Sequence, residues 1–393
     1  MIRTMHLKNK KPIRDIIMMP LRKFEYEEVG EGRLVINLGP QHPSTHGVLR
    51  LIAELDGERV KKVLPIIGYL HRGFEKIAEY RNYPMIVPLT DRLDYLSAMS
   101  NNMVYCQAIE ELMSIKISER AEYIRVIVLE LQRIASHLAS VGFFGNDVGI
   151  TFTAMMYTFR ERELIINLFE TLSGARLTYN YIRIGGLRED LPPGFENNAL
   201  RSIDIIEKKV DEYEEFFSEN EIFLRRTQGI GVLKLKDAIN LGATGPVLRG
   251  SGLKSDVRVT DPYTIYDRFD WDIITEKKGD CFARYNIWIN EIRQSISIVR
   301  QALKGLPKGE INVKIPRVIK PESGEVYSKI ESPRGELAMN VISDGTLKPY
   351  RLKIRSPAFC NLSLLPIIAE EGLIADLIAT LGSIDPVFGE VDR

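Results

Sequence analysis

The sequence predicts an α+β chain that is mainly helical, on three observations. Apolar residues recur at the 3.6-residue helical period through long central segments. Two strand-like runs near the N-terminal part flank Asp56-Gly57, a strong hairpin turn signal. Short strand-like runs return after residue 337. The 393 residues suffice for one large domain or two, since single cores stop growing beyond about 250 residues. The expected organisation is a basic arm (1–32), an N-terminal β region (33–80), a helical bundle (81–310) and a C-terminal β/α region (311–393).

In chain order, Arg33 to Leu38 reads as a short strand, and the runs around Leu49–Leu55 and Val60–Ile67 form the hairpin. Ser118 is placed to cap a helix carrying Ile124, Ile127, Val128, Leu131, Ile134, Ala135 and Leu138 at helical spacing, which predicts a helix facing a core on one side. A second helix runs from about Met155 to Ser173 and stops at Gly174; a third carries Leu200, Ile203, Ile206, Val210 and Tyr213. A fourth repeats Trp288, Ile292, Ile296, Val299 and Leu303 before Gly305 and Pro307. Residues 240–252 are Gly-rich but contain neither GxGxxG nor GxxxxGK, so no phosphate cradle is expected there. Lys314 to Pro333 reads as a connection, and Leu337 to Ile354 as short strands.

Lys plus Arg (53) equals Asp plus Glu (53), so no long-range field draws in nucleic acid. Cys106, Cys281 and Cys360 form no CxxC pair, which argues against a disulfide framework, against a zinc or iron-sulfur site held by this chain alone, and for a reducing compartment. No run approaches the roughly 18 to 20 apolar residues that span a bilayer, so a soluble or peripheral chain is expected. The first 23 residues hold seven bases against the single acid Asp15. That arm reads either as a contact for anionic lipid or an acidic partner, or as a plain tail.

Five residue groups carry candidate chemistry. His42 and His46 are four apart, yet Pro43 and Gly47 argue against a helix and place both imidazoles in a turn-rich loop, GPQHPSTHG. Two histidines do not make a metal site, and functional and loop-supporting readings both stand. Asp91-Arg92-Leu93-Asp94-Tyr95 crowds two carboxylates, a guanidinium and a phenol together, a pattern that an ordinary helix start also explains. In HRGFEK, Arg72 and a glutamate are candidates to pair, and Asn146-Asp147 follows two Phe and a Gly. His137, on the periodic helix, reads as a satisfied structural histidine.

The segments NLGPQHPSTHGVLRL, GYLHRGFEKIAEYR, PLTDRLDYLS, SGARLTYNYIRIGG, VLRGSG, DPYTIYDRFDWD, GDCFARY, SPRGE, ISDGTLKPYRLKIRSP and FGEVDR occur in this order. Together they resemble the hydrogenase-like subunit of complex I, the D subunit of bacteria and the 49-kilodalton subunit of mitochondria. The resemblance covers nearly all of the chain after about residue 33 and implies a fold like the nickel-iron hydrogenase large subunit. In that enzyme two cysteine pairs hold the metal; the matching positions here are Asp94 and Ser97, then Val387 and Glu390. Nickel and low-spin iron need soft sulfur ligands, so no metal and no hydrogenase activity are expected.

What the resemblance implies instead is a quinone pocket in the emptied cavity, with the 39–47 loop as one wall. His46 and Tyr95 match the residues that approach the two quinone carbonyls, and Asp147 matches the carboxylate that pairs with the histidine. His42, Thr45 and Gly47 support the loop, while Arg72 and His137 fall in the neighbourhood of a partner's terminal iron-sulfur cluster. The implied partners are a small iron-sulfur protein resembling the B subunit of complex I, with proteins resembling its C subunit and its membrane-embedded H subunit. The expected setting is the cytoplasmic face of a prokaryotic cell membrane, with the electron donor left open among NADH, reduced ferredoxin and a reduced deazaflavin, NAD entering only at the level of the complex, and proton translocation left to membrane partners. Two rival readings are a non-catalytic scaffold of the same complex, and the same pocket serving another lipid-soluble acceptor such as methanophenazine.

Overall fold

The computed structural model describes residues 26–28, 33–42, 45–150 and 153–393. Apart from 26–28, the basic arm and the two readings of it lie outside the described residues. Strands β1 (Tyr26–Glu28), β2 (Arg33–Leu38), β3 (Arg50–Asp56) and β4 (Arg59–Ile66) form an antiparallel sheet in the order β1-β2-β3-β4. Gly57, at a φ of 60°, supplies the left-handed turn of the β3–β4 hairpin. Leu51, Ala53, Leu55, Val60 and Val63 bury one face of this sheet against C-terminal helices, the alternation along β3 being matched on β4 through a register shift at Glu54/Leu55 that sets Val63 opposite Ala53 and Val60 opposite Leu55.

The principal helices are α1 (Ala98–Leu112), α2 (Glu119–Asp147), α3 (Thr153–Ser173), α4 (Phe195–Tyr213), α5 (Cys281–Gly305), α6 (Ile374–Ser383) and α7 (Phe388–Asp392). A second antiparallel sheet, β5 (Gly324–Ser332), β6 (Gly335–Ser343) and β7 (Arg351–Arg355), runs in the order β7-β6-β5 and packs on α1. The fold is therefore α+β, with most of its regular residues helical.

Two expectations change. Helix α2 does not face a core on one side only: α3 and α5 flank it, α1 and α6 also pack on it, and its polar positions are buried with its apolar ones. Ser118 precedes it as expected but makes no capping bond. Nor is 314–333 only a connection, because it contains β5, whose Ser328, Ile330 and Ser332 are buried. Its charges hid the alternation, since Glu331 goes inward to meet Arg249 at 2.7 Å rather than outward to water. The Gly-rich 240–252 segment contributes the short helix Gly245–Gly250, which plants that arginine in the core.

The buried polar face of α2 is feasible because its charges find partners. Glu130 accepts from Arg258 Nη1 at 3.1 Å, Tyr266 Oη at 2.6 Å, Ser295 Oγ at 2.6 Å and Arg133 Nε at 3.3 Å. Burial alone would push its carboxyl up, but Arg133 and Arg258, helped by Ser295 and Tyr266, hold it near 2. Arg125 forks onto both oxygens of Glu110, at 2.9 and 2.6 Å, and His137 Nε2 sits 2.9 Å from Glu291 Oε2.

Removing one member of this network leaves an unpaired buried charge. Arg258→Ala is expected to cost roughly 3 to 5 kcal/mol of unfolding free energy, read from denaturant midpoints. Because the Glu130 carboxyl is depressed in the folded state, its contribution is present above its ordinary value of 4.5 and is lost as pH falls toward about 2. Glu130→Gln should flatten that acid slope in a pH series of melts, and an unchanged slope would contradict the assignment.

Candidate functional site

A cleft of about 490 Å³ opens between the 39–48 loop, the turn before α1, the C-terminal end of α2 and the 385–387 segment that follows α6. Pro40, Val48, Leu96, Phe143, Pro386 and Val387 give it apolar walls, and His42, His46, Tyr95, Asp147 and Asp385 supply the ionisable groups. The loop is shaped from within. Gln41 and His42 pair with Val48 and Gly47 as a miniature hairpin, and the buried Thr45 hydroxyl reaches the carbonyls of His42 at 2.8 Å and Gly47 at 3.0 Å. Gly47 has a φ of 143°, and a Cβ there would meet Phe388 Cδ2 at 2.9 Å. The loop thus packs against α7 through a position that only glycine fills.

His46 has a left-handed backbone, φ 55°, which turns its ring inward. Its Nε2 lies 2.5 Å from Asp147 Oδ2, and its ring meets Phe143 edge-on at 6.2 Å. Phe143 and Asp147 are one helical turn apart on α2, so one helix end presents both. Burial pulls the imidazole down, but the hydrogen bond and charge of Asp147, joined by Asp385, outweigh it and raise His46 above its ordinary value. The same burial raises the Asp147 carboxyl while His46 pulls it back down. Both directions favour a shared proton, and the pair carries imidazolium to higher pH than a free histidine does.

Gly382 of α6 makes this pair possible. A Cβ at that position would stand 2.2 Å from Asp147 Oδ2 and 3.2 Å from His46 Nε2. The bare helix backbone is therefore the back wall of the pair.

Tyr95 lines the cleft half-buried, and no hydrogen bond of its hydroxyl is found among the described residues. Burial and the charges of Asp94 and Asp385 raise its phenol, with Arg334 opposing. Behind it the sequence-distant segments 92–97 and 385–390 meet. Arg334 Nη1 donates to Asp94 Oδ2 at 2.6 Å and to Ser136 Oγ at 3.1 Å, and Nη2 pairs with Asp385 Oδ2 at 3.1 Å. Val387 faces the cleft, Ser97 bonds to Ser100 at 2.8 Å, and Glu390 is wholly buried.

Of the residues singled out in the sequence, His42, His46, Gly47, Tyr95, Asp147 and Val387 line one cleft, and Thr45 supports it. Arg72 stays exposed outside the lining; it does not pair with Glu75, which binds Lys353 instead. His137 is enclosed in the core, and the buried Asp91, pushed up to about 7 chiefly by its burial, does not line the cleft. Sequence reading missed Asp385, Gly382, Phe143 and Arg334. Signals existed for three of them: Asp385 lies just before FGEVDR, Arg334 lies within SPRGE, and Phe143 is one of the two Phe before Asn146-Asp147; Gly382 had none. Among the described residues, no group of three or more His, Cys, Asp and Glu is arranged to hold a metal. One helix, α2, is long and apolar enough to cross a membrane by length and composition, and it is buried inside the fold.

The family model of the respiratory-chain NADH dehydrogenase 49-kilodalton subunit matches residues 147–323 and 316–393. The chain is 55% identical over 359 residues to the D subunit of NADH-quinone oxidoreductase from Dehalococcoides mccartyi, an alignment covering 91% of this chain and 98% of that protein. It is 50% identical over 360 residues to the D subunit from Geobacillus kaustophilus, covering 91% and 98%. With the D 2 subunit from Sinorhizobium medicae it shares 45% over 399 residues, covering 95% and 98%.

Asp147→Asn removes the carboxylate that chiefly raises His46 and leaves burial opposed only by Asp385, so the imidazole should titrate at lower pH in a histidine NMR titration. Gly382→Ala should move it in the same direction by displacing the Asp147 carboxylate, at an overpacking cost of about 1 to 3 kcal/mol. A His46 titration unmoved in both variants would show that the pair does not set its protonation.

Proposed function

Because the chain belongs to the 49-kilodalton subunit family of the respiratory-chain NADH dehydrogenase, we propose that its cleft is where a membrane quinone is reduced. The observation that carries the reading is the convergence of the His46–Asp147 pair and Tyr95 on one largely apolar cleft. Its volume of about 490 Å³ falls within the roughly 300 to 1,000 Å³ of small-molecule sites.

Reducing a quinone to a quinol consumes two electrons and two protons. The electrons come from the terminal iron-sulfur cluster of a small partner protein, since this chain brings no cysteine set of its own. The His46 imidazolium gives one proton to one carbonyl oxygen, and the Tyr95 hydroxyl gives the other to the second. Neutral His46 then remains hydrogen-bonded to Asp147, and both donors regain protons from solvent. His42, Thr45 and Gly47 hold the loop in shape, and Phe143, Val48 and Val387 exclude water from the ring. Arg72 from the surface and His137 from the core serve the neighbourhood of the partner's cluster. The chain works as a peripheral component on the cytoplasmic side, beside partners of the B, C and H types, with NADH oxidised elsewhere in the complex and proton translocation in its membrane part.

Tyr95→Phe and His46→Ala should each lower quinone reductase turnover by about 10²- to 10⁴-fold, with the complex still assembled on native gels. Full turnover in both variants would overturn the site.

A further inference from the structure

Behind the cleft wall that carries Tyr95 and Asp385, one guanidinium faces three carboxyl groups. Arg334, Asp94 and Glu390 are buried, and Asp385 reaches from this cluster to the cleft. Arg334 serves Asp94 at 2.6 Å and Asp385 at 3.1 Å, and its Nε donates to the Asp385 carbonyl at 3.1 Å. Among the described residues no hydrogen bond or ion pair joins it to Glu390, and its Nη2, which faces Asp385, makes no hydrogen bond. Glu390 Oε2 receives the backbone N–H of Ala358 at 3.2 Å, and Oε1 has no partner among the described residues. The other polar neighbour is the Ser356 hydroxyl, which also caps the helix Pro357–Leu362 by accepting from Phe359 N at 3.0 Å. The remaining ionisable neighbour on that helix is Cys360, with Arg355 and Arg393 beyond it. A carboxylate in this place would be a buried anion with one amide and one hydroxyl to solvate it, which the interior does not tolerate.

We propose that Glu390 is carried as a neutral acid and acts as a positioning residue, leaving Arg334 to Asp94 and Asp385 and thereby setting the charge of the cleft wall. Burial, then the charge of Asp94, push its carboxyl up to about 8, against the pull of Arg334. On losing its proton, Glu390 competes for Arg334, and the cluster of three acids gains a second uncompensated negative charge. Asp385, which lines the cleft, then loses its partner beside the acceptor, and the two groups flanking Tyr95 repel the negative charge that develops on a reducing quinone. This consequence rests on the quinone reading of the cleft; the protonation of Glu390 does not.

The test is Glu390→Gln in the intact complex, because glutamine is a neutral isostere of the acid. Turnover near neutral pH should stay within about twofold of the parent, and the fall in affinity for the acceptor centred near pH 8 should disappear. Any alkaline limb that remains should belong to His46 and move in Asp147→Asn. Independently of turnover, a difference infrared titration of the parent complex against the variant should show a protonated carboxylic acid carbonyl band at neutral pH that fades on alkalinisation. An alkaline limb unchanged in Glu390→Gln, a collapse of neutral-pH turnover in the assembled variant, or a parent complex without the acid band would each overturn the proposal. If the variant does not assemble, the acid band of the parent still decides. Failure of the quinone reading shows separately, as full turnover in the His46 and Tyr95 variants.

Discussion

A guanidinium buried away from water must be matched by acceptors, and the cleft exists because Arg334 is matched by parts of the chain that are far apart in sequence. Its two terminal nitrogens reach Asp94, Ser136 and Asp385, and its Nε reaches a main-chain carbonyl. Those contacts tie together the turn before α1, the middle of α2 and the segment after α6. They add to the direct packing of Gly389 against the backbone of Arg92 and Leu93. The same cation also pairs with the acid at one of the positions that the sequence resemblance matches to hydrogenase cysteines, Asp94.

The same rule operates on a larger scale in the bundle. Glu130, Arg133, His137, Arg249, Asp256, Arg258, Glu291 and Glu331 are all buried, and each is paired with others of the set or with main-chain carbonyls. Such pairs add little net stability over apolar packing, but breaking any one is costly. They therefore fix a single register of α2 against α5 and the second sheet. That register matters for the cleft because Phe143 and Asp147 lie at the far end of the same helix. A slip of α2 would carry Asp147 away from His46.

The His46–Asp147 pair is held by three different devices. The loop gives His46 a left-handed backbone, α2 delivers the carboxylate, and α6 offers a surface without a side chain at Gly382. Low exposure strengthens the interaction and also penalises an isolated charge, so the imidazolium is stable only while the carboxylate is in place. Tyr95, by contrast, lines the cleft with a hydroxyl that has no hydrogen-bond partner among the described residues. One group is charged and braced, the other neutral and open.

Much of this was legible in the sequence. The strand 33–38, the Asp56-Gly57 hairpin and the helices ending at Ser173, Tyr213 and Gly305 follow from local periodicity and turn chemistry, which depend on neighbours a few residues away. The motifs also marked out the loop, Tyr95 and Asp147 as belonging to one family of sites. What the sequence could not decide is which polar residues turn inward. Glu331 in β5 and the polar face of α2 looked like solvent-facing positions, because a charge reads as exposed until its partner, up to some 200 residues away, is known. The roles of Gly382 and Arg334 were hidden for the same reason: one acts by the side chain it lacks, the other through groups brought to it only by folding. Local order came from the sequence pattern; the protonation and shape of the cleft came from tertiary contacts, where burial turns distant charges into neighbours.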